Sequence, residues 1–402
     1  MTWATIPLAK AADLESGFGF PREHQGEFNQ SVPFFRVSDM NLAGNEVYMA
    51  NHSNTVSRAT LAALHARTFP AGTVIFPKIG AAIGTEKKRI LTKPSTYDNN
   101  VMGAVPKDGV APKFLYYWFL RINLTEYANA SHVPSIRKSV MEEIPFPLPA
   151  PSEQRRIVEI LDQADALRGR AREADVKAAR ILPALFLKMF GDPTANPMGW
   201  PTADFFGVFD DVTAGHTKVQ ARDFQPSGAV PIVDQGQNYV AGYTDDKSIA
   251  HKDPLPVIVF GDHTRTFKYV DFPFALGADG VRVLSAKDGI DPLFAYWHCR
   301  LRELPSAGYS RHFKYLKEKR FMRPAANRQS DFARAASETT KLTAAIGTAT
   351  EKVEKLFTLL LQRAFSGQLT AKWRETHMQE LLAEMQEQAL LLNLPTSAKG
   401  AK

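Results

Sequence analysis

The 402-residue sequence predicts an α/β (α+β) fold made twice over: two globular units, each followed by a long helix, with the two helices packed as an antiparallel coiled coil. Three observations predict it. The length suits two ordinary cores better than one. Two helical segments carry the same heptad pattern at a constant offset, and mixed strand-like runs punctuated by Gly and Pro precede each of them.

The first helical segment follows Pro147-Leu148-Pro149-Ala150-Pro151, where Ser152, Glu153 and Gln154 read as an N-cap and first turn. Ile157, Ile160, Ala164, Leu167, Ala171, Ala174, Ala178, Ile181 and Leu185 then alternate steps of three and four, the seam of a coiled coil, until Gly191-Asp192-Pro193 stops the helix. A shift of 175 residues gives Phe332, Ala335, Thr339, Leu342, Ile346, Ala349, Val353, Leu356 and Leu360, with Thr339 alone breaking the apolar rule. The ends correspond too, Phe190 falling on Phe365 before Gly367. Four of the nine seam residues of the first helix are alanine, so a partner backbone can approach closely. Pro183 should bend or loosen the last turns, because it lacks an amide donor and crowds the preceding turn. At about 1.5 Å per residue, a helix of about 38 residues spans roughly 57 Å, enough to act as a spacer. The alternative is a plain helical hairpin inside one large domain.

The segments before the helices repeat more faintly. At an offset of 180, Asp108-Gly109, Pro112, Phe114 and Tyr116 recur as Asp288-Gly289, Pro292, Phe294 and Tyr296, and His132 as His312. The aromatic runs around Phe114 and Phe294 read as core helices under a sheet rather than platforms for bases. Five segments result: 1–151 and 192–326 as globular domains, 152–191 and 327–367 as spacer helices, and 368–402 as a tail. In the tail, Trp373 to Leu392 suits an amphipathic helix that docks on the long helices or on a partner, before a polar terminus.

Lys and Arg outnumber Asp and Glu 49 to 42, a net charge of +7 that weakly favours an anionic partner. The single cysteine, Cys299, excludes a disulfide framework and a structural Cys cluster, and a reducing cytoplasm suits it. No apolar run approaches the length of a membrane span. Catalytic signatures are missing: no GxxxxGK loop and no nucleophile elbow, and Gly17-Phe18-Gly19 lacks the third glycine of a dinucleotide fingerprint. Asn196-Pro197-Met198 carries only half of the motif with which adenine methyltransferases hold a target amine. The ten histidines show no tight ligand spacing, so neither a catalytic residue nor a metal site is expected.

Polar and basic residues among the strand-like runs remain. From Arg311 to Arg328, seven basic residues face the single acid Glu318, with Arg311, Lys314 and Lys317 interleaved with His312, Phe313 and Tyr315. Earlier in the same half, Gln235, Gln237, Asn238 and Tyr239 cluster beside glycine, as do His263, Thr264, Arg265, Thr266 and Lys268. Gln, Asn and Arg suit adenine and guanine edges, and basic groups suit phosphates. The first-half candidates are Lys78, Lys87, Lys88, Arg89, Lys93, Asn99 and Asn100, then Ser131, His132, Ser135, Arg137 and Lys138. A solvated loop explains any one of these; as a set they point to nucleic acid.

Gly-Gln-Asn-Tyr-Val-Ala-Gly-Tyr-Thr at 236–244, Val-Ile-Val-Phe-Gly-Asp-His-Thr at 257–264 and Phe-Ala-Leu-Gly-Ala-Asp-Gly-Val-Arg-Val-Leu at 274–284 resemble the recognition domains of type I restriction-modification specificity subunits. Gly-Thr-Val-Ile-Phe-Pro-Lys-Ile-Gly at 72–80 resembles the same family, as does Ile-Pro-Phe-Pro-Leu-Pro-Ala-Pro-Ser-Glu-Gln-Arg-Arg-Ile-Val at 144–158. Arg323 to Gln329, before the second helix, departs from the usual Pro-rich, Glu-Gln-rich lead-in, and the tail is longer than the pattern requires. The resemblance implies a non-catalytic subunit whose two target-recognition domains each read one half of a split, asymmetric double-stranded DNA target. The coiled coil would fix the unread gap and dock two methyltransferase subunits, which methylate adenine N6, and restriction subunits would join the complex. S-adenosylmethionine, ATP and Mg would then belong to the partner subunits and none to this chain, in a bacterial or archaeal cytoplasm. Exposed helix faces around Arg168, Arg170, Arg172 and Glu173 would remain for partner helices.

Overall fold

The computed structural model describes residues 3–305 and 311–395, so the polar terminus expected after Pro395 lies outside the described residues. The chain forms two compact units. One is built from the chain up to Arg170 together with the chain from Glu351 onward, the other from Ala171–Thr350, so each long helix contributes a part to both.

The first unit opens with β1 (Ala4–Pro7), α1 (Leu8–Ala11) and β2 (Ala12–Ser16). There follow β3 (Val32–Phe35), β4 (Tyr48–Met49), β5 (Thr55–Val56), α2 (Arg58–Ala63), β6 (Val74–Pro77), β7 (Arg89–Leu91), β8 (Thr96–Tyr97) and β9 (Val101–Pro106). Next come α3 (Pro112–Arg121), α4 (Lys138–Glu142), β10 (Pro145–Leu148), α5 (Pro151–Ala179) and α6 (Ile181–Phe190). The main sheet has the order β2-β9-β6-β7-β4; smaller sheets pair β5-β3-β8 and β1-β10. Strand β6 reads as an unbroken apolar run because both its faces are covered. Val74 and Phe76 point into the core shared with α3, while Ile75 points into a second core with Phe35, Met49 and Tyr97. Helix α3 buries every residue from Phe114 to Phe119, as the aromatic run led one to expect. Gly17 lies where a Cβ would sit 2.0 Å from the Asp98 carbonyl, so this glycine serves a close backbone crossing.

The second unit continues with β11 (Thr202–Ala203), β12 (Phe209–Asp211), β13 (Lys218–Val219), β14 (Val230–Val233), β15 (Gly242–Thr244), β16 (Val257–Gly261), β17 (Phe267–Val270), β18 (Ala275–Gly277) and β19 (Val281–Ala286). After these come α7 (Pro292–Arg300), α8 (Phe313–Lys317), β20 (Phe321–Met322) and α9 (Ala326–Phe365), and the chain ends in α10 (Ala371–Thr376) and α11 (Met378–Leu391). Its sheets are β12-β19-β16-β17, β13-β18-β14-β15 and β11-β20. The plan of the first unit is thus repeated: β9-β6-β7 becomes β19-β16-β17, α3 becomes α7, and the strand before each long helix pairs with the strand that opens its unit.

Inside each unit the long helices run antiparallel. In the first, Ile157 and Leu161 share a core with Phe357, Leu361 and Phe365. In the second, Phe186 and Phe190 pack on Phe332, and Thr350 Oγ donates to the Ala171 carbonyl at 3.2 Å. Helix α5 stops at Ala179 and α6 restarts at Ile181, four residues and two residues ahead of Pro183, which has no amide to donate back to the preceding turn.

The heptad period holds but half of the predicted seam is displaced by one residue. Ile157, Ala164, Ala171, Ala178 and Leu185, with Phe332, Thr339, Ile346, Val353 and Leu360, do face inward. The intervening positions do not follow. Leu167, Ile181, Leu342 and Leu356 are 46%, 41%, 55% and 47% exposed and Ala349 is exposed, whereas Ile160, Ala174 and Ala335 are half-buried, as Ala164 and Ala171 are. Their places are taken by Leu161, Arg168, Asp175 and Leu182, and by Ala336, Thr343, Thr350 and Phe357. The more apolar of two adjacent registers is the wrong one because polar residues in the true one are satisfied. Arg168 lies 3.9 Å from the Phe357 ring centroid and pairs with Asp165; Arg170, Arg172 and Glu173 are exposed, Glu173 pairing with Lys177 at 2.7 Å.

The tail helices dock on the first unit. Glu153, fully buried, accepts from Thr370 Oγ (2.6 Å) and Arg374 Nε (2.8 Å) through one oxygen and from Trp3 Nε1 (2.8 Å) through the other. Gln388 donates to the Gly109 and Pro149 carbonyls, and Glu384 caps the amide of Ser152 at 2.8 Å.

Candidate nucleic-acid interface

Lys78 leaves the end of β6 and is held between two loops. Its amide donates to the Asn100 carbonyl (2.8 Å), and its own carbonyl accepts from Ile136 (2.9 Å). Asn129 knots the loop that follows α3 by accepting from Ser131 Oγ (3.0 Å) and the Ser135 amide (2.8 Å). Ser131 and His132 are thereby exposed at the loop tip, with Arg137 and Lys138 exposed where α4 begins. Asn99 is exposed, while Asn100 is tethered to Asp98. Lys78, Asn99, Asn100, Ser131, His132 and Ser135 therefore share one end of the main sheet. Lys78 Nζ donates to Ser16 Oγ at 2.8 Å, and partial burial lowers its pKa. A cavity of about 250 Å³ adjoins, and its wall includes Arg36 and Ser38, which the sequence reading missed. Lys87 reaches Asn41, and Lys93 is exposed on the β7–β8 turn.

In the second unit the corresponding end of the sheet is built from the loop after β14, the β16–β17 turn and the segment before α8. Gln235 accepts from the His263 amide through Oε1 (3.2 Å) and from Thr264 Oγ through its carbonyl (2.6 Å); Gln237 donates to Thr266 Oγ at 3.2 Å. Gly280, at φ +71°, leaves the room that His263 and Gln235 occupy, since a Cβ there would lie 2.6 Å from the His263 ring. Asp262 is buried and ties the basic segment in place, accepting from the Phe313 amide (2.7 Å) through Oδ1 and from the His312 amide (2.9 Å) through its carbonyl. Arg311, Lys314 and Lys317 are left exposed beside it, as are Gln237, Asn238, Tyr239 and Arg265. Arg265, Arg300 and Arg302 line a cavity of about 570 Å³; Arg300 ends a core helix and Arg302 follows it, which hid them from the sequence reading.

Four predicted contacts belong to the interior instead. Lys88 is 2% exposed, ion-paired with Glu86 and donating to the Ile122 carbonyl (2.9 Å). Lys268 is 3% exposed, pairs with Asp234 (3.3 Å) and donates to the Asp234 and Asn238 carbonyls. Arg89 is half-buried with its guanidinium on the Lys88 and Met40 carbonyls, and His312 is buried with Nδ1 2.9 Å from the Asp262 carbonyl. A buried cation is tolerated only with a full set of partners, and here those partners are carbonyls that close loops. Burial lowers the pKa of both lysines and of Arg89.

The family model for the type I restriction modification DNA specificity domain matches residues 2–176. Over those residues, fewer than half of the chain, the sequence is similar to that domain. Its relatives include the type I restriction enzyme MjaIX specificity subunit of Methanocaldococcus jannaschii, 27% identical over 222 residues, which are 50% of this chain and 50% of that protein. The EcoR124I/EcoR124II specificity subunit of Escherichia coli is 30% identical over 89 residues, 22% of each chain. The matched region thus spans half or less of either relative. Among solved structures, a type I S subunit from M. genitalium shares the fold at a TM-score of 0.54 and 14% identity, covering 90% of this chain and 96% of that one. A chain from a study of complex assembly and conformational transition of the type I restriction-modification system aligns at 0.56 and 14% identity, over 92% and 98%. The domain match falls on the first unit and most of the first long helix, while the second unit repeats the β9-β6-β7 order as β19-β16-β17 with different loop residues. No helix among the described residues is long and apolar enough to cross a membrane.

Proposed function

We propose that this chain is the non-catalytic DNA-reading subunit of a type I restriction-modification complex, each unit reading one half of a split, asymmetric double-stranded target. One observation carries the reading. The duplicated fold brings polar and basic side chains twice to the same end of the sheet, yet that end carries Lys78, Asn99 and His132 in one unit and Gln237, Arg265 and Arg311 in the other. A shared scaffold with unlike contacts is what two different half-sites require. Leu167, Leu342, Leu356 and Leu359 stand exposed on the long helices, and exposed leucines of this kind suit two methyltransferase subunits and, through them, restriction subunits. S-adenosylmethionine, ATP and Mg belong to those partners in this reading, and the complex works in the cytoplasm on chromosomal and incoming DNA.

Mapping methylated adenines in the host genome with and without this gene tests the proposal. The expected result is loss of one bipartite motif with a constant gap, and an unchanged map sinks it. Methyl transfer to DNA by the purified chain alone, given S-adenosylmethionine, would show that it is an enzyme in its own right.

A further inference from the structure

We propose that His216, His251 and Asp253 form a binding site for a divalent transition metal of the zinc class, which clamps two loops of the second unit. The residues come from the β12–β13 and β15–β16 connections, and their ligand atoms all lie within 4.8 Å of one another. His216 Nε2 is 2.7 Å from Asp253 Oδ2, and His251 Nε2 is 3.8 Å from the same oxygen. The two imidazole rings sit 4.5 Å apart. Tetrahedral zinc with bonds of about 2.0–2.1 Å places its ligand atoms about 3.3 Å apart, so separations within 4.8 Å need to change by at most about 1.5 Å to seat the ion.

His251 decides the matter. Its side chain is 0% exposed, and neither ring nitrogen makes a hydrogen bond. A buried polar group is almost always paired, and an orphan imidazole aimed at a second imidazole and a carboxylate matches a metal ligand. An ordinary core histidine would face apolar neighbours; this one has Phe274 on one side at 5.0 Å but His216 and Asp253 on the other. Asp253, 40% exposed at its side chain, leaves a route for the ion and a coordination position for water. Two imidazoles with one carboxylate select borderline ions such as Zn2+ over Mg2+ or Ca2+. The consequence is structural. Strand β13 starts two residues after His216, and the His251 amide donates to the Phe274 carbonyl (2.6 Å) next to β18, so the ion would lock both ends of the pairing between β13 and β18.

The test uses the full, untagged chain, stripped with EDTA and titrated with Zn2+ and with Co2+. Uptake of one equivalent, visible Co2+ absorption from nitrogen and oxygen ligands, and a Zn2+-induced rise in Tm of roughly 5–10 °C at a hundredfold excess over Kd are expected. Asp253→Asn and His216→Gln should each weaken binding at least tenfold while leaving Tm in EDTA unchanged. No stoichiometric uptake, which would leave only a His–Asp hydrogen bond, overturns the proposal, as does uptake that neither variant alters. Should a variant fail to fold, protection of His216 and His251 from diethyl pyrocarbonate by Zn2+ in the natural chain reads the same site, and absence of protection refutes it.

Discussion

Gln154 and Gln329, 175 residues apart, make the same three hydrogen bonds in their respective units. Gln154 Oε1 accepts from the Ala111 amide while its Nε2 donates to the Gly109 and Pro149 carbonyls. Gln329 Oε1 accepts from the Asp291 amide while its Nε2 donates to the Gly289 and Pro324 carbonyls. Each glutamine thus fastens the first turn of a long helix to the turn before the core aromatic helix. The second lead-in, unlike the first in sequence, does the same physical work.

Replacing Gln329 by alanine strands a buried amide and two carbonyls and should cost about 2 kcal/mol. Gln154→Ala should cost less, because Gln388 also donates to the Gly109 and Pro149 carbonyls. Urea unfolding of both variants checks the order; equal losses would mean that the tail gives no support.

The displaced seam is tested by paired truncations. Leu161→Ala and Phe357→Ala should each cost roughly 2–4 kcal/mol, since both side chains are buried. Leu167→Ala and Leu356→Ala should stay within about 0.5 kcal/mol. Thermal unfolding that ranked the pairs the other way would restore the register with the more apolar residues.

Interior and surface cations should separate in salt titrations. Lys268→Met should lower stability by roughly 2 kcal/mol, less than for a fully buried pair because Asp234 is partly exposed, and leave the salt slope of DNA binding unchanged. Arg311→Ala with Lys314→Ala should weaken binding and flatten that slope by about 2 if both touch phosphates. Filter binding at several salt concentrations distinguishes these outcomes.

Acid should destabilise the second unit. Burial, with a smaller contribution from Arg302, lowers the His298 pKa from 6.5 to about 3, and its Nε2 accepts from the Met322 amide at 3.2 Å. Unfolding therefore takes up a proton between those values, so stability is complete above pH 6.5 and falls as the pH drops toward 3. His298→Gln, which can still accept that hydrogen bond, should flatten the Tm profile between about pH 7 and 5. Part of the slope should survive, because burial lowers the pKa of His251 as well.

Legibility in the sequence followed the range of the interactions. The heptad period, the duplication at a fixed offset, the core role of Phe114 to Phe119 and the loosening near Pro183 all follow from local periodicity and backbone chemistry. So did most of the loop residues at the sheet ends, because Gly, Asn and Gln between apolar strands signal exposed turns. The phase of the seam did not follow, since one residue of rotation leaves the period unchanged and only the partner helix decides which neighbour is covered.

The long helices were therefore determined by the sequence itself through their 3.5-residue period, and the strands and core helices before them through apolar runs bounded by Gly and Pro. Tertiary structure decided which charges are surface and which are struts: Lys88 and Lys268 look like Lys314 in the chain but are enclosed by carbonyls from distant loops. It also brought His216 within hydrogen-bonding distance of Asp253, a residue 37 positions away. Burial and long-range pairing depend on how the chain closes on itself, and no local pattern encodes that closure.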